Sequence, residues 1–273
     1  MISIEREMPI DTLDVHLDDT GILAIIMDRP PANAVDVPMY IRIAEVFAGI
    51  ARSQDDIRVV ILSGRGRHFC AGNDLDEFAT MNPENATERM WHVREAFFAI
   101  MGCAVPVIGA VHGSALGTGL ALAASCDFVV AGAGASFGLP ELTVGVMGGA
   151  RHLTRLAPQP LVRRMYFTGQ PLSAAAFQAA GGAVMVCDDD DLMATAHSLA
   201  ARIAAHSPTA VRVSKRVLDR IEWMDIREGY RFEQAATERM SGHPDAKEAL
   251  SAFRERRAPQ YQARSDDHRW FGD

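Results

Sequence analysis

The sequence predicts an α/β fold continued by helices alone, and three observations predict it. Apolar, β-branched runs of strand length recur at residues 22–27, 59–62, 107–111, 128–130 and 184–187. Two of these runs turn through glycines into helix-forming stretches, at residues 64–75 and 113–125. From Asp191 onward apolar residues recur at helical spacing with no further strand signal. A strand, turn and helix region is therefore expected over residues 1–195, and a helical region over 196–273.

In order, LDVHL at 13–17 alternates as a half-buried strand does, and ILAIIM at 22–27 follows as a more buried partner across Asp18-Asp19-Thr20-Gly21. Asp36 can cap the next helix, Pro38 fits its first turn, and Met39, Ile43, Val46, Phe47 and Ile50 repeat at helical spacing. The polar stretch 80–87 contains Pro83 and reads as a loop able to roof a pocket. A helix over 88–101 leads to the stretch VIGAVHGSALGTGLALAASCDFVVAGAGASFGLPE, residues 107–141. There a strand turns through Gly113, Gly117 and Gly119 into a small-residue helix, a second strand follows, and Glu141 closes a loop. Short helices broken by glycine and proline fill 144–182, then come helices over 192–203, 211–221, 226–240 and 244–257.

Composition narrows the function classes. With 273 residues, 48% of them hydrophobic, the chain can bury a full core. Net charge is −8 with no basic block, which argues against nucleic acid as a primary partner. Cys70, Cys103, Cys126 and Cys187 lie far apart in apolar surroundings, so buried thiols are expected rather than a metal site or disulfides. The start MISIEREMPID lacks a signal-peptide pattern, and no apolar run is long enough to cross a bilayer. A soluble cytoplasmic protein with no membrane partner is the expectation.

Four motifs stand in order: Asp28-Arg29-Pro30…Asn33-Ala34, Phe69-Cys70-Ala71-Gly72-Asn73-Asp74-Leu75, Ala110-Val111-His112-Gly113…Gly117-Thr118-Gly119, and Phe137-Gly138-Leu139-Pro140-Glu141. In these the chain resembles the enoyl-CoA hydratase/isomerase (crotonase) family. The resemblance implies a crotonase-like spiral of ββα turns, followed by a helical region through which such proteins form trimers or pairs of trimers. It also implies an acyl-CoA substrate, with coenzyme A entering as part of the thioester and no separate cofactor.

By the same resemblance, the backbone amides of Asn73 and Thr118 would polarise the thioester carbonyl, and Glu141 would carry the proton. Ala32, Ala34, Ala71, Asp74, Leu75 and Gly117 would line the path of the substrate and its CoA. Family members usually have a small residue at the first donor position and glycine at the second; a backbone donor survives the change if φ and ψ allow it. Family hydratases place a second glutamate two residues after the last glycine of the turn, where this chain has Ala121. A single carboxylate can still take a proton from one carbon and return it to another. Double-bond isomerisation or weak hydration is therefore preferred over efficient hydration, with His92 and Glu95 as lesser candidates for a further acid.

Plainer readings stand beside these. Asp74 equally suits a helix cap, Asp127 a strand-end anchor, His112 a hydrogen-bonded core histidine and His152 a packing role. Arg254, Arg256 and Arg257 suit a solvated cationic face. A non-catalytic acyl-CoA-binding or scaffold protein is the alternative function. A nicotinamide-dependent oxidoreductase ranks below it, since Gly117-Thr118-Gly119 and Gly132-Ala133-Gly134 only partly match a dinucleotide fingerprint and lie mid-chain.

Overall fold

The computed structural model describes residues 12–262, so the leader reading of residues 1–11 lies outside the described residues. Elements follow in the order β1 (Leu13–Leu17), β2 (Ile22–Met27), α1 (Val37–Ile50), β3 (Val59–Gly64), α2 (Leu75–Phe78), α3 (Ala86–Met101), β4 (Val107–Val111), β5 (Ser114–Leu116), α4 (Thr118–Ser125), β6 (Phe128–Gly132) and β7 (Ser136–Gly138). They continue through α5 (Ala150–Leu153), α6 (Gln159–Thr168), β8 (Leu172–Ser173), α7 (Ala174–Ala179), β9 (Val184–Cys187), α8 (Leu192–Ala204), α9 (Pro208–Ile221), α10 (Ile226–Ser241) and α11 (Pro244–Glu255).

One sheet runs β1-β2-β3-β4-β6-β9, parallel throughout except for β1 against β2. Its strands read as unbroken apolar runs because both faces are covered. Ile22, Val59, Ile61, Ile108, Ala110 and Val130 pack on Leu192, Ala196, Ala200 and Ala204 of α8. The alternate residues Val60, Leu62, Val107, Val111, Val129 and Ala131 join the large core with α1 and α3. Residue 195 thus falls inside α8, and the layers of the sheet run on through Ala204. A second, small sheet orders β5-β7-β8 and sits where the chain passes between consecutive strands of the first.

Helix α1 begins as its sequence dictates: Asp36 accepts from the Met39 amide at 2.9 Å, and Pro38 occupies the first turn. The stripe Met39, Tyr40, Ile43, Phe47 and Ile50 is buried, facing Ala96, Phe97 and Ile100 of α3. The start of α4 is pressed onto the 70–74 loop, where a Cβ on Gly119 would stand 2.0 Å from the Cys70 carbonyl oxygen. Only glycine permits that approach.

Beyond α8 the helices pack mostly on one another, with Val213, Val217 and Ala236 forming a small core between α9 and α10. A buried cation ties this region to the rest. Lys215, 3% exposed, meets Asp127 at 3.0 Å, Asp219 at 2.6 Å and the Met101 carbonyl at 2.6 Å. Asp127 also accepts from the Val107 amide at 2.7 Å, which anchors the start of β4. Lys215→Met leaves two carboxylates facing each other without their cation, and should cost about 3 kcal/mol or more of unfolding free energy. Urea denaturation checks this; an unchanged midpoint would show that the cluster does not hold the helical region.

Candidate active site

Two backbone segments meet beside the large core. In the first, Cys70 donates to the Ser114 carbonyl at 3.0 Å and accepts from the Leu116 amide at 3.1 Å. Ala71 donates to Ala32 at 3.0 Å, Val35 to Gly72 at 2.9 Å and Asp74 to Val35 at 3.0 Å. These bonds fix the loop on both sides of Asn73 without engaging the Asn73 amide. In the second segment, Gly117 donates to Gly138 at 2.9 Å and turns the chain with φ 54°. The first bond of α4 runs from the Ala121 amide to Gly117 at 3.0 Å, so Thr118 begins the helix with an amide that has no intrahelical acceptor. The unusual dihedrals fall on Gly72 and Gly117, and neither Asn73 nor Thr118 has a positive φ. The β-branched Thr118 therefore sits in helical backbone without strain.

A tyrosine joins the two segments. The Tyr40 hydroxyl, on a fully buried side chain, lies 2.8 Å from Asn73 Oδ1 and 2.8 Å from Thr118 Oγ1. The direction of the chain is fixed from one end. Arg89 Nη2 approaches Asn73 Oδ1 at 3.3 Å, and a guanidinium can only donate, so the atom facing it is the amide oxygen. Tyr40 then donates its one proton to Asn73, and the Thr118 hydroxyl donates to Tyr40. Arg89, 6% exposed, is paired with Glu77, whose other oxygen accepts from the Val37 amide at 2.9 Å at the start of α1.

Glu141 opens a 3-10 turn after Pro140 and is 8% exposed. Its Oε2 has no hydrogen-bond partner, and burial pushes its carboxyl up to about 7. Glycines make room for it. A Cβ on Gly117 would lie 3.4 Å from Oε1, and one on Gly149 would lie 3.0 Å from the same atom. The carboxyl group thus stands beside the residue that precedes Thr118.

The structure brings Asn73 and Thr118 together through Tyr40, and Glu141 beside Gly117. Ala32, Ala34 and Ala71 lie half-buried on adjoining strands of backbone, and Leu75 is 63% exposed at the start of α2. Asp74 is engaged structurally: Oδ1 accepts from the Glu77 amide at 3.0 Å and Oδ2 from Arg29 at 2.6 Å. These contacts hold its carboxyl below the usual carboxylate range. Ala121 is buried within α4 and offers no polar side chain. His92 meets the Trp91 ring edge-on, and Glu95 faces Arg94 at 3.8 Å. Sequence reasoning missed Tyr40, Arg89 and Gly149. A tyrosine within a helix's apolar stripe is a signal in itself, because its buried hydroxyl needs a partner.

The glycines at 132 and 134 have a packing role. A Cβ at Gly132 would stand 2.2 Å from Asp189 Oδ1, and the Gly134 amide donates to that oxygen at 2.9 Å. Among the described residues no cluster of histidine, cysteine and acidic side chains could hold a metal ion, and no helix is long and apolar enough to cross a membrane.

Residues 18–264 match the family model described as enoyl-CoA hydratase/isomerase. The chain belongs to the enoyl-CoA hydratase/isomerase family. It is 37% identical over 238 residues, covering 86% of this chain and 95% of the relative, to the (7aS)-7a-methyl-1,5-dioxo-2,3,5,6,7,7a-hexahydro-1H-indene-carboxyl-CoA hydrolase of Mycobacterium tuberculosis. To the 2,3-dehydroadipyl-CoA hydratase of Escherichia coli it is 32% identical over 253 residues, covering 89% and 96% of the two chains. The crystal structure of an enoyl-CoA hydratase from Bacillus anthracis superimposes with a TM-score of 0.87 at 30% identity, covering 93% of this chain and all of that one. The crotonase fold is thus established, and the protein is an enzyme of a family that acts on CoA thioesters.

Two outcomes follow from the geometry. Tyr40→Phe removes the hydroxyl that joins the segments, and should lower unfolding free energy by about 1–2 kcal/mol while reducing kcat more than it raises KM. Denaturation and steady-state kinetics with a CoA thioester check both parts. The raised carboxyl of Glu141 binds a proton more tightly folded than unfolded, so folding loses stability as pH rises from about 4.5 to about 7. Glu141→Gln should therefore be as stable as the parent near pH 4 and more stable by about 3 kcal/mol at pH 8, as read by denaturation across that range.

Proposed function

We propose that the enzyme carries an acyl-CoA thioester through an enolate, with Glu141 as its single acid/base and the amides of Asn73 and Thr118 as donors to the thioester oxygen. The buried carboxyl of Glu141 beside Gly117, its Oε2 without a hydrogen-bond partner, carries this reading. A carboxyl near neutrality takes and returns a proton with comparable ease, and such help is worth about two to four powers of ten in rate. Backbone amides suit the other task because they are fixed before charge develops, each contributing roughly 3 kcal/mol.

The preferred reaction is double-bond isomerisation, or weak hydration, of an enoyl thioester. Efficient hydration calls for a second group to activate water, and Ala121 supplies none. The M. tuberculosis relative bears the name of a hydrolase for a dioxo carboxyl-CoA. A single carboxylate facing two amide donors serves any reaction that passes through a thioester enolate, so a functionalised acyl group is compatible with this site.

The protein is proposed to work in the cytoplasm as a homotrimer or a pair of trimers. Support comes from large apolar side chains left on the outside of the helical region, with Ile226 86% and Phe253 82% exposed.

Incubation with 2-enoyl- and 3-enoyl-CoA, following the shifted and hydrated products, tests the reaction; hydration outpacing isomerisation would refute the role given to the alanine. Solvent-deuterium exchange at the α-carbon tests the base. Exchange should rise as pH passes through about 7, where Glu141 ionises, and fall by about two to four powers of ten in Glu141→Gln. Saturable thioester binding without exchange in the parent would instead mark a non-catalytic member of the fold.

A further inference from the structure

Next to the reacting centre lies a cavity of about 460 Å³, walled on one side by Val93, Phe97 and Met101 of α3 and on the other by Gly149, Arg151 and His152. Its place is set by two contacts. Gly149 is the glycine whose Cβ would crowd Glu141 Oε1, so one bare residue separates the cavity from the carboxyl group. Phe97 packs on Tyr40 at 6.2 Å between centroids and on His152 at 4.7 Å, so one ring separates the cavity from the hydroxyl joining the donor segments.

The wall is mostly apolar, but it carries a histidine without a hydrogen-bond partner and an exposed arginine without a carboxylate partner among the described residues. His152 is half-buried, and its ring nitrogens form no hydrogen bond with any described residue. Burial, with Arg155 and Arg151 nearby, lowers its pKa to about 4 and keeps the ring neutral, with one N–H to donate. Arg151 lies over the Trp223 ring, 4.0 Å from its centroid, and donates to Thr154 Oγ1 at 2.6 Å, and it has no carboxylate partner among the described residues. Arg155 beside it is engaged with Glu222 at 3.0 Å and with the Ala124 carbonyl at 2.8 Å. An apolar pocket whose wall carries a guanidinium without a carboxylate and an imidazole without a hydrogen-bond partner fits a ligand that is hydrocarbon near the reacting atoms and carries an oxygen acceptor farther out.

We propose that this cavity takes the distal part of the acyl group and that His152 and Arg151 select thioesters bearing a second carbonyl or carboxylate there. This rests on Glu141 and the two amides being the reacting centre. It makes the chain a processor of functionalised acyl-CoA rather than plain fatty acyl-CoA.

Binding tests it without turnover. Calorimetric titration would compare octanoyl-CoA, the CoA monothioester of octanedioic acid and the methyl-ketone analogue of octanoyl-CoA. The parent should bind at least one oxygen-bearing thioester about ten- to a hundredfold more tightly than octanoyl-CoA. Preference for the dicarboxylate, collapsing in Arg151→Gln, identifies a carboxylate; preference for the ketone, collapsing in His152→Phe, identifies a carbonyl. His152→Phe keeps a ring against Phe97, so loss of selectivity there is not loss of packing. Equal binding of all three thioesters, or a preference that survives both substitutions, overturns the inference while leaving the reacting centre untouched. Failure of every thioester to bind would instead overturn the reading of that centre.

Discussion

The site depends on a distance of closest approach. Two segments far apart in sequence can lay their backbones together only because nothing projects from Gly119 toward the Cys70 carbonyl, where a Cβ would intrude to 2.0 Å. Everything that faces the cavity follows from that contact. It sets Asn73 beside Thr118, it lets the Tyr40 hydroxyl touch both side chains, and it places at that contact the start of α4, where the Thr118 amide has no intrahelical acceptor. The parallel sheet supplies the rigidity behind it: β3 leads into the first segment and β4 into the second, and these strands are paired and buried on both faces.

Polar side chains at the two proposed donor positions, Asn73 and Thr118, tie the segments together through side-chain hydrogen bonds and leave the backbone amides out of them. Small residues there would leave the backbone held by its own hydrogen bonds and by steric fit alone. Here a directed chain of hydrogen bonds runs from Thr118 through Tyr40 to Asn73 and ends on the Arg89 cation. Such a chain is strengthened by the low dielectric of a buried setting, and it ties the start of α1, through Glu77, to the same network. The geometry of the two proposed donor positions is thereby coupled to the start of α1.

Much of this was legible in the residues, for identifiable reasons. Strands buried on both faces announce themselves as unbroken apolar runs, and glycines at 117 and 119 mark where backbone must bend or approach closely. Glu141 was legible because its motif is local and specific. Tyr40 was not, since its role arises from two residues 33 and 78 positions away and no local pattern encodes such a meeting. The α8 boundary was obscured for a related reason: its face toward the sheet is built from Ala196, Ala200 and Ala204, a stripe that reads equally well as an independent helix. Asp74 was ambiguous because a carboxylate that caps a helix and one that meets a ligand look alike until Arg29 is found beside it.

The polar groups around the site bear on one another. A buried carboxyl group with one oxygen left unpaired and its ionisation displaced to about 7 destabilises the folded enzyme at neutral pH, and a hydrogen-bond donor placed beside that oxygen would relieve the cost. The fold does the opposite: glycines at 117 and 149 surround Oε1 with backbone that carries no side-chain donor, and the alanine at 121 withholds another polar group. His152 and Arg151 lie one glycine farther out, where their dipole and charge meet the outer cavity rather than the carboxyl. Donors that could have neutralised Glu141 are thus displaced to where they discriminate between acyl groups. Reactivity and selectivity are separated by the width of a residue that has no side chain.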